Sequence, residues 1–409
     1  MKLGTMAFRN ILRNKRRSIL SGTAIMIAAM SIVMLFSFLA GMSEDIQDNL
    51  HTYKTGAVRI RHKDFTKYER LNPMHLTVGN TGELLKGILN EPGVTMVSPR
   101  ISFPTRIYRD GENFNAFGTG VDFSTETEYQ NLGPEVVQKG RIPEMGKNEV
   151  LIGYKLAEKV AVDLGDKITI LSSTAARGTN AISFTITGLV AFPMESLNNM
   201  TILAPLDRVQ YFLRMPDQVQ EILLKVEEDV DTTALASLLR EKYADNYGLE
   251  IMGWMEMETT YSWIEMAQAV YDIFALFFFV LGSSVILNTT IMVIFERMRE
   301  IGTMTAMGMS GKDLVRLFFT EAFIISVIGS FAGVLLGIGL TQILGVVGIN
   351  FGKAMEGVDF EISSVLYPKL NLKSTVVVFF YSVVVASLTA ILPARKTSRI
   401  EVVDALRAV

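Results

Sequence analysis

The chain has 409 residues, 49% of them hydrophobic, with 39 basic and 42 acidic residues and a formal net charge of −3. That balance offers nucleic acid no electrostatic hold, and the absence of cysteine excludes disulfides and a cysteine-borne lipid anchor. Met1–Ser18 carries Lys2, Arg9, Arg13, Lys15, Arg16 and Arg17 and no acid, interleaved with Leu3, Phe8, Ile11 and Leu12. This reads either as a short amphipathic helix on a cytoplasmic membrane surface or as a plain basic flank of the helix that follows.

Four uncharged runs follow: Ser18–Ser43, Ile273–Phe295, Ala322–Gly352 and Ser374–Ala394. Each exceeds the roughly 20 helical residues that cross a hydrocarbon core of about 30 Å. The spans are predicted at 19–42, 266–295, 313–347 and 374–394. The first run is too long for a signal-peptide core of about 7–15 residues and is predicted to stay as a helix. Basic residues cluster in the amino-terminal segment 1–18, at Arg297, Arg299, Lys312 and Arg316, and in the tail 395–409 at Arg395, Lys396, Arg399 and Arg407. Positive residues next to spans stay in the cytoplasm. Both termini and the segment 296–312 are therefore expected inside, with 43–265 and the loop 348–373 outside.

The outer region mixes short strands and helices. Alternation at Ala57–Arg61, Val97 through Ile107, Glu149–Ile152, Lys167–Leu171, Phe184–Val190 and Gln220–Val226 predicts strands. Glu83–Leu89, Gly153–Val162, Pro205–Arg214 and Thr232–Tyr243 read as helices, and Ser172–Ser183 as a polar loop. The expected fold is an α-helical membrane domain of four spans plus a large α+β extracytoplasmic domain inserted between the first two. Two lobes are expected in that domain: about 43–120 completed by 218–252, and about 121–215. Trp254–Met266 is expected to continue the second span outward as a stalk, with Tyr261 and Trp263 at interfacial level.

Three segments carry a resemblance. Glu296-Arg297-Met298-Arg299-Glu300-Ile301-Gly302, followed by Ala306 and Gly308, is similar to the E-R-x-R-E-I-G-x-x-x-A-x-G segment of the FtsX/MacB/LolC-LolE permease family of ABC transporters. Gly140-Arg141-Ile142-Pro143, Glu149–Gly153, Leu156-Ala157 and Leu164-Gly165-Asp166 resemble the outer domain of its MacB-type and lipoprotein-releasing members, the MacB-like periplasmic core. Pro393–Ile400 and Val403–Arg407 resemble the family tail. The resemblance implies a non-enzymatic permease subunit of the inner membrane that binds no cofactor of its own. ATP and Mg would sit on a partner ATPase, present in two copies. A second permease, identical or homologous, would complete the assembly. It further implies that ATPase closure moves a cytoplasmic coupling helix and that stalks carry the motion outward. A LolC/LolE-like lipoprotein-releasing subunit is the nearest pattern, with a lipoprotein or other lipophilic substrate, membrane lipid and a periplasmic carrier as partners. LolC-type subunits carry a longer, proline-containing hook, and Ser172–Ser183 has no proline, which favours a LolE-like or more generic role. The rivals are a MacB-like exporter of peptides or antibiotics and an FtsX-like regulator of cell-wall hydrolases.

The residues themselves fit such a coupling role. On a short helix Glu296, Arg299, Glu300 and Thr303 come together at i, i+3 and i+4 spacing, Ile301, Met304 and Met307 suit an apolar pocket, and Gly302 and Gly308 permit close approach or a turn. The ATPase-coupling candidates are thus Glu296, Arg297, Arg299, Glu300, Ile301, Gly302, Met304, Ala306, Met307 and Gly308. Gly329, Gly333 and Gly337, four residues apart, form a ridge for close helix packing, within the chain or between subunits. Glu321 is expected near a basic neighbour such as Arg316. Met30, Met34, Phe38, Asp272, Phe274 and Phe278 are candidates for lining an acyl-chain cavity. Gly311-Lys312-Asp313 lacks the spacing of a phosphate-binding loop, so ATP hydrolysis is assigned to another subunit. His51, His62 and His75 are spaced too widely to suggest a metal site, and no metal ligand set is predicted.

Overall fold

The computed structural model describes residues 3–13, 15–109, 111–227 and 229–257, scattered positions between 269 and 292, and residues 298–352, 362–391 and 394–395. The chain divides into two compact units. One comprises Met1–Ser43, Met266–Ile349 and Leu366–Val409, the other Glu44–Glu265 and Asn350–Val365.

Three helices among the described residues are long and apolar enough to cross a membrane: Ser18–Thr55, Gly311–Val347 and Leu372–Thr389. The predicted span 266–295 lies largely outside the described residues. Of the described positions within it, Ile273, Phe274, Leu276 and Phe277 are helical and exposed. The amino-terminal segment forms a helix, Leu3–Arg13. It buries Ala7 and leaves Phe8 and Leu12 exposed one turn apart, as an interfacial helix would. The helix Gly311–Val347 starts at Ser310, whose hydroxyl accepts from the Asp313 amide at 3.2 Å.

The glycine ridge of Gly311–Val347 faces the helix Lys15–Asn49. A Cβ placed on Gly329 would lie 2.8 Å from the Gly22 carbonyl oxygen, and one on Gly337 2.9 Å from Val33 Cβ. One on Gly333 would collide with the Met26 carbonyl oxygen and lie 2.9 Å from Ala29 Cβ. Lipid tails are as apolar as side chains, so close backbone approach is what binds helices in a bilayer. Leu372–Thr389 completes this packing: Val378 joins Ile32, Val33 and Val334, and Ala386 joins Ile25. Ser326 and Ser387 share a buried hydrogen bond of 3.3 Å.

The second unit is built on a ten-stranded sheet: β1 (Val58–His62), β2 (Val94–Arg109), β3 (Glu112–Val121), β4 (Val137–Gly140), β5 (Glu149–Gly153), β6 (Lys167–Ser173), β7 (Thr179–Val190), β8 (Thr201–Pro205), β9 (Glu221–Val226) and β10 (Leu249–Gly253). Their order is β10-β1-β9-β2-β3-β8-β5-β7-β4, with β6 bridging β2 and β7. The two expected lobes are therefore joined. β2 is 16 residues long: Val97 pairs with Leu224 of β9, Ile107 with Ile170 of β6, and Ile101 with Gly120 of β3. The main apolar core runs through both halves, with Ile60, Leu84, Phe103, Ile107, Ile152, Phe184 and Ile222 all buried in it. The supposed loop Ser172–Ser183 is mostly ladder, with Leu171 opposite Ala181 and Ser172 opposite Asn180. Its polar residues lie on a hairpin whose backbone is satisfied by strand pairing. Helices Thr81–Leu89, Tyr154–Val160, Leu206–Leu213 and Thr232–Leu239 each bury apolar side chains in the unit.

Candidate functional site

The segment expected to meet an ATPase is a helix from Met298 to Ala306. Glu296 and Arg297 lie outside the described residues, while Arg299, Glu300 and Ile301 carry helical backbone. The helix ends in a Schellman arrangement: the Gly308 amide donates to the Thr305 carbonyl at 3.0 Å and the Met309 amide to the Met304 carbonyl at 3.1 Å. Gly308 sits at φ +93°, a conformation that glycine adopts without strain. The side chains divide by surroundings. Met304 and Met309 pack against Leu314, Phe318 and Ala394. Gly302 is buried, Ala306 is exposed, and Met307 is 77% exposed. Of the two methionines assigned to an external pocket, Met307 is the one presented to solvent, and Met304 serves the chain's own packing.

Glu321 is buried one helical stretch further on and accepts a hydrogen bond from Asn10 Nδ2 at 2.7 Å. Arg316, the expected neighbour, instead lies 4.0 Å from Asp313. The sequence reading missed Asn10 because the contact joins residues 311 positions apart.

Of the candidate cavity residues, the Met30 carbonyl lies against Gly337, and Met30, Met34 and Phe38 are each half-buried. Phe274 is exposed on a helical position, and Asp272 and Phe278 fall outside the described residues. Of the stalk expected over Trp254–Met266, the described part holds a 3-10 turn at Trp254–Glu256, and 258–268 lie outside the described residues. The first helix runs beyond its uncharged stretch, to Asn49, and closes in a π-helical turn, Leu50–Thr55.

In the second unit that turn is held by side chains from the sheet. A helix leaves its last carbonyls without partners and carries negative partial charge there. Here Thr55 Oγ1 donates to the Leu50 carbonyl at 3.2 Å and the Tyr129 hydroxyl to the His51 carbonyl at 3.3 Å. Arg100 Nη2 donates to the Thr52 carbonyl at 2.9 Å and Nη1 to the Tyr53 carbonyl at 3.1 Å. Arg100 comes from the middle of β2 and is buried with its counter-ion Glu126, which it meets at 2.6 Å. Its Nε donates to Ser98 Oγ at 2.9 Å. Ser98 and Gln130 in turn donate to the Glu126 carboxylate, Gln130 at 2.6 Å. The Tyr129 ring lies 5.1 Å from the guanidinium. Burial pushes the Tyr129 phenol up, so it stays a neutral donor. Asn49, just before that turn, and Asp45, one helical turn earlier, are joined to Ser363, whose amide donates to Asp45 Oδ2 at 2.7 Å.

A second buried charge cluster crosses β1, β9 and the turn after β1. Arg61 stands opposite Glu221 in the ladder and donates to it through Nε at 2.9 Å and Nη2 at 2.5 Å. Its Nη1 reaches Glu69 at 2.6 Å. Burial pushes the Glu221 carboxyl up, but the adjacent Arg61, Arg59 and Arg100 outweigh it and hold the group below its usual range.

The outer-domain motif residues have structural work. Arg141 forks onto Glu149 at 2.7 and 2.9 Å, and Glu149 also accepts from the Glu144 amide at 3.0 Å. Leu156 and Ala157 are buried. Gly140 at φ +87° and Gly165 at φ +83° make the turns on either side.

Residues 18–242, more than half of the chain, match the MacB-like periplasmic core domain, and residues 273–402 match the FtsX-like permease C-terminal domain. The lipoprotein-releasing system transmembrane protein LolC of Xylella fastidiosa is 23% identical over 97% of this chain and 96% of its own. An uncharacterized ABC transporter permease of Methanocaldococcus jannaschii is 23% identical over 98% and 97%. The macrolide export ATP-binding/permease protein MacB of Acinetobacter baylyi is 21% identical over 98% of this chain and 58% of its own. Among solved structures, the periplasmic region of MacB from Actinobacillus actinomycetemcomitans is 16% identical, covering 53% of this chain and 97% of that one, with a TM-score of 0.39. The chain belongs to the FtsX/MacB family of ABC transporter permeases, with a MacB-like periplasmic core domain and an FtsX-like permease region.

Proposed function

We propose that this chain is a mechanotransmitting permease that releases lipoproteins from the outer leaflet of the inner membrane, using ATP hydrolysed by a separate subunit. The observation that carries this reading is the end-to-end match to LolC, a lipoprotein-releasing protein by name, over 97% of one chain and 96% of the other. The match to MacB, a macrolide exporter by name, spans 58% of that protein, which makes export from the periplasm the second reading. The Met298–Ala306 helix, with Met307 presented at its end, is the assigned ATPase contact. The first helix, extended beyond its uncharged run and fastened at Leu50–Thr55, is the assigned carrier of motion.

In this reading both termini and residues 296–312 are cytoplasmic. A periplasmic reporter fused at Asn180 should be active and one fused at Gly311 silent, and the reverse would overturn the orientation. Depletion of the protein should strand outer-membrane lipoproteins in the inner membrane. Normal lipoprotein sorting with a block in septal wall cleavage would replace release by regulation of a hydrolase. Normal sorting with new sensitivity to macrolides would favour export.

A further inference from the structure

We propose that Arg100 is the positioning residue through which movement of the first helix enters the outer-domain sheet. The inference rests on the mechanotransmission reading and adds to it the point at which force would be handed over. Two successive carbonyls at the helix end, those of Thr52 and Tyr53, are taken by the two terminal nitrogens of one guanidinium. The third nitrogen and the remaining N–H of Nη2 are taken by Ser98 and Glu126. The planar fork of arginine therefore holds the helix end and the sheet in one fixed geometry, which a lysine ammonium on a flexible stem cannot reproduce.

Stability alone does not call for this arrangement. A buried ion pair is commonly no more stabilising than apolar side chains of the same volume. What a buried hydrogen-bonded network of this kind supplies is a defined register between the two elements it joins. β2 is also the strand that pairs with β3 along much of its length and with both β9 and β6. A displacement imposed on Arg100 is thus imposed on the strand common to both halves of the sheet.

The test uses the full-length permease bound to its ATPase in lipid nanodiscs, with amide hydrogen exchange followed with and without ATP and vanadate. In the parent complex, trapping the nucleotide should change protection in Leu50–Thr55 and across β2 and β3. In Arg100→Gln the change should persist in Lys15–Asn49 and fall about tenfold in β2 and β3, with ATP turnover retained. The double variant R100E/E126R restores a buried ion pair but aims a carboxylate at the Thr52 and Tyr53 carbonyls. A carboxylate cannot donate to those carbonyls and is repelled by the negative helix end, so the swapped protein should not recover the response in β2. Arg100→Lys keeps the charge and loses the fork, and should show the same loss if the Gln variant does not fold. A full response in β2 for the Gln, Lys or swapped protein overturns the role of Arg100. A parent complex with no nucleotide response in the outer domain removes the mechanotransmission reading itself, and the role of Arg100 with it.

Discussion

Asn10 Nδ2 donates to Glu321 Oε1 at 2.7 Å, so the amino-terminal helix Leu3–Arg13 is stitched to a buried carboxylate on the helix Gly311–Val347. Among apolar helices an ionisable group is costly unless it is hydrogen-bonded. Asn10→Ala removes a hydrogen bond to a charged group, worth about 1.5–3 kcal/mol. The expected outcome is a lower melting temperature of the detergent-solubilised protein. Asn10→Asp should be worse, because it sets a carboxylate against a carboxylate, and Glu321→Gln should be mild, because an amide can still accept. Equal stability of the parent and the Ala and Asp variants would show that the contact contributes nothing.

The glycine ridge makes a graded prediction. A methyl at Gly333 meets the Met26 carbonyl and Ala29 Cβ, whereas one at Gly339, on the same helix, meets nothing within 4 Å. Gly333→Leu should lower stability in detergent by about 1–3 kcal/mol, the usual cost of overpacking, and Gly333→Ala should have a smaller effect of the same sign. Gly339→Ala should be neutral. The contrast separates close packing from a general loss of glycine flexibility, because both sites lie in helix interior. A Gly333→Leu protein as stable as the Gly339→Ala protein would mean that the helices separate at no cost.

Met304 and Met307, one helical turn apart, should fail in different ways. Met304 packs against Leu314, Phe318 and Ala394, so Met304→Ala should cost about 2–5 kcal/mol at most, less where it is only partly buried. Met307 is exposed. On the proposed function it docks into the ATPase, so Met307→Lys should leave the melting temperature of the isolated permease unchanged while weakening ATPase copurification and uncoupling ATP turnover from release. Normal copurification together with normal release in Met307→Lys would move the contact elsewhere on 296–312.

The sequence made three of the apolar spans and most outer-domain strands legible, because each follows from a local pattern. Val58–His62, Glu149–Gly153 and Glu221–Val226 alternate or run apolar between clear turns. β3 escaped because Glu112–Val121 holds two asparagines and two glycines, residues typical of loops, and is a strand by pairing with β2 and β8. The hairpin at Ser172–Ser183 was obscured in the same way by its polar composition. Joining the two lobes required knowing that one 16-residue strand has different partners at its two ends, a tertiary fact. The glycine spacing pointed to close packing, but that its partner is Gly22, Met26 and Val33 of the first helix has no local signature. Arg100 and Glu126 are 26 residues apart with nothing in their neighbourhoods to single them out. Their role emerges only from asking where the carbonyls of Leu50–Thr55 find donors.

The ladder pair Arg61–Glu221 gives the outer domain a defined response to acid. Burial raises the folded-state pKa of Glu221, but Arg61, Arg59 and Arg100 outweigh it and hold the carboxyl below its usual range. A depressed carboxylate contributes stability that is present above its unfolded pKa and is lost as pH falls through the folded one. Glu221→Gln leaves Arg61 and Arg59 beside a neutral group, and breaking a buried pair in this way costs on the order of 3–5 kcal/mol. At pH 7 the variant should therefore melt well below the parent. Below about pH 4.5 the parent begins to lose the same interaction, and the two melting temperatures should converge as the carboxyl takes up its proton. Thermal unfolding followed by tryptophan fluorescence across pH 3 to 8 measures this directly, since Trp254 lies buried next to β10 in the same unit. A gap between parent and variant that stays constant over that range would mean that Glu221 contributes by shape and not by charge.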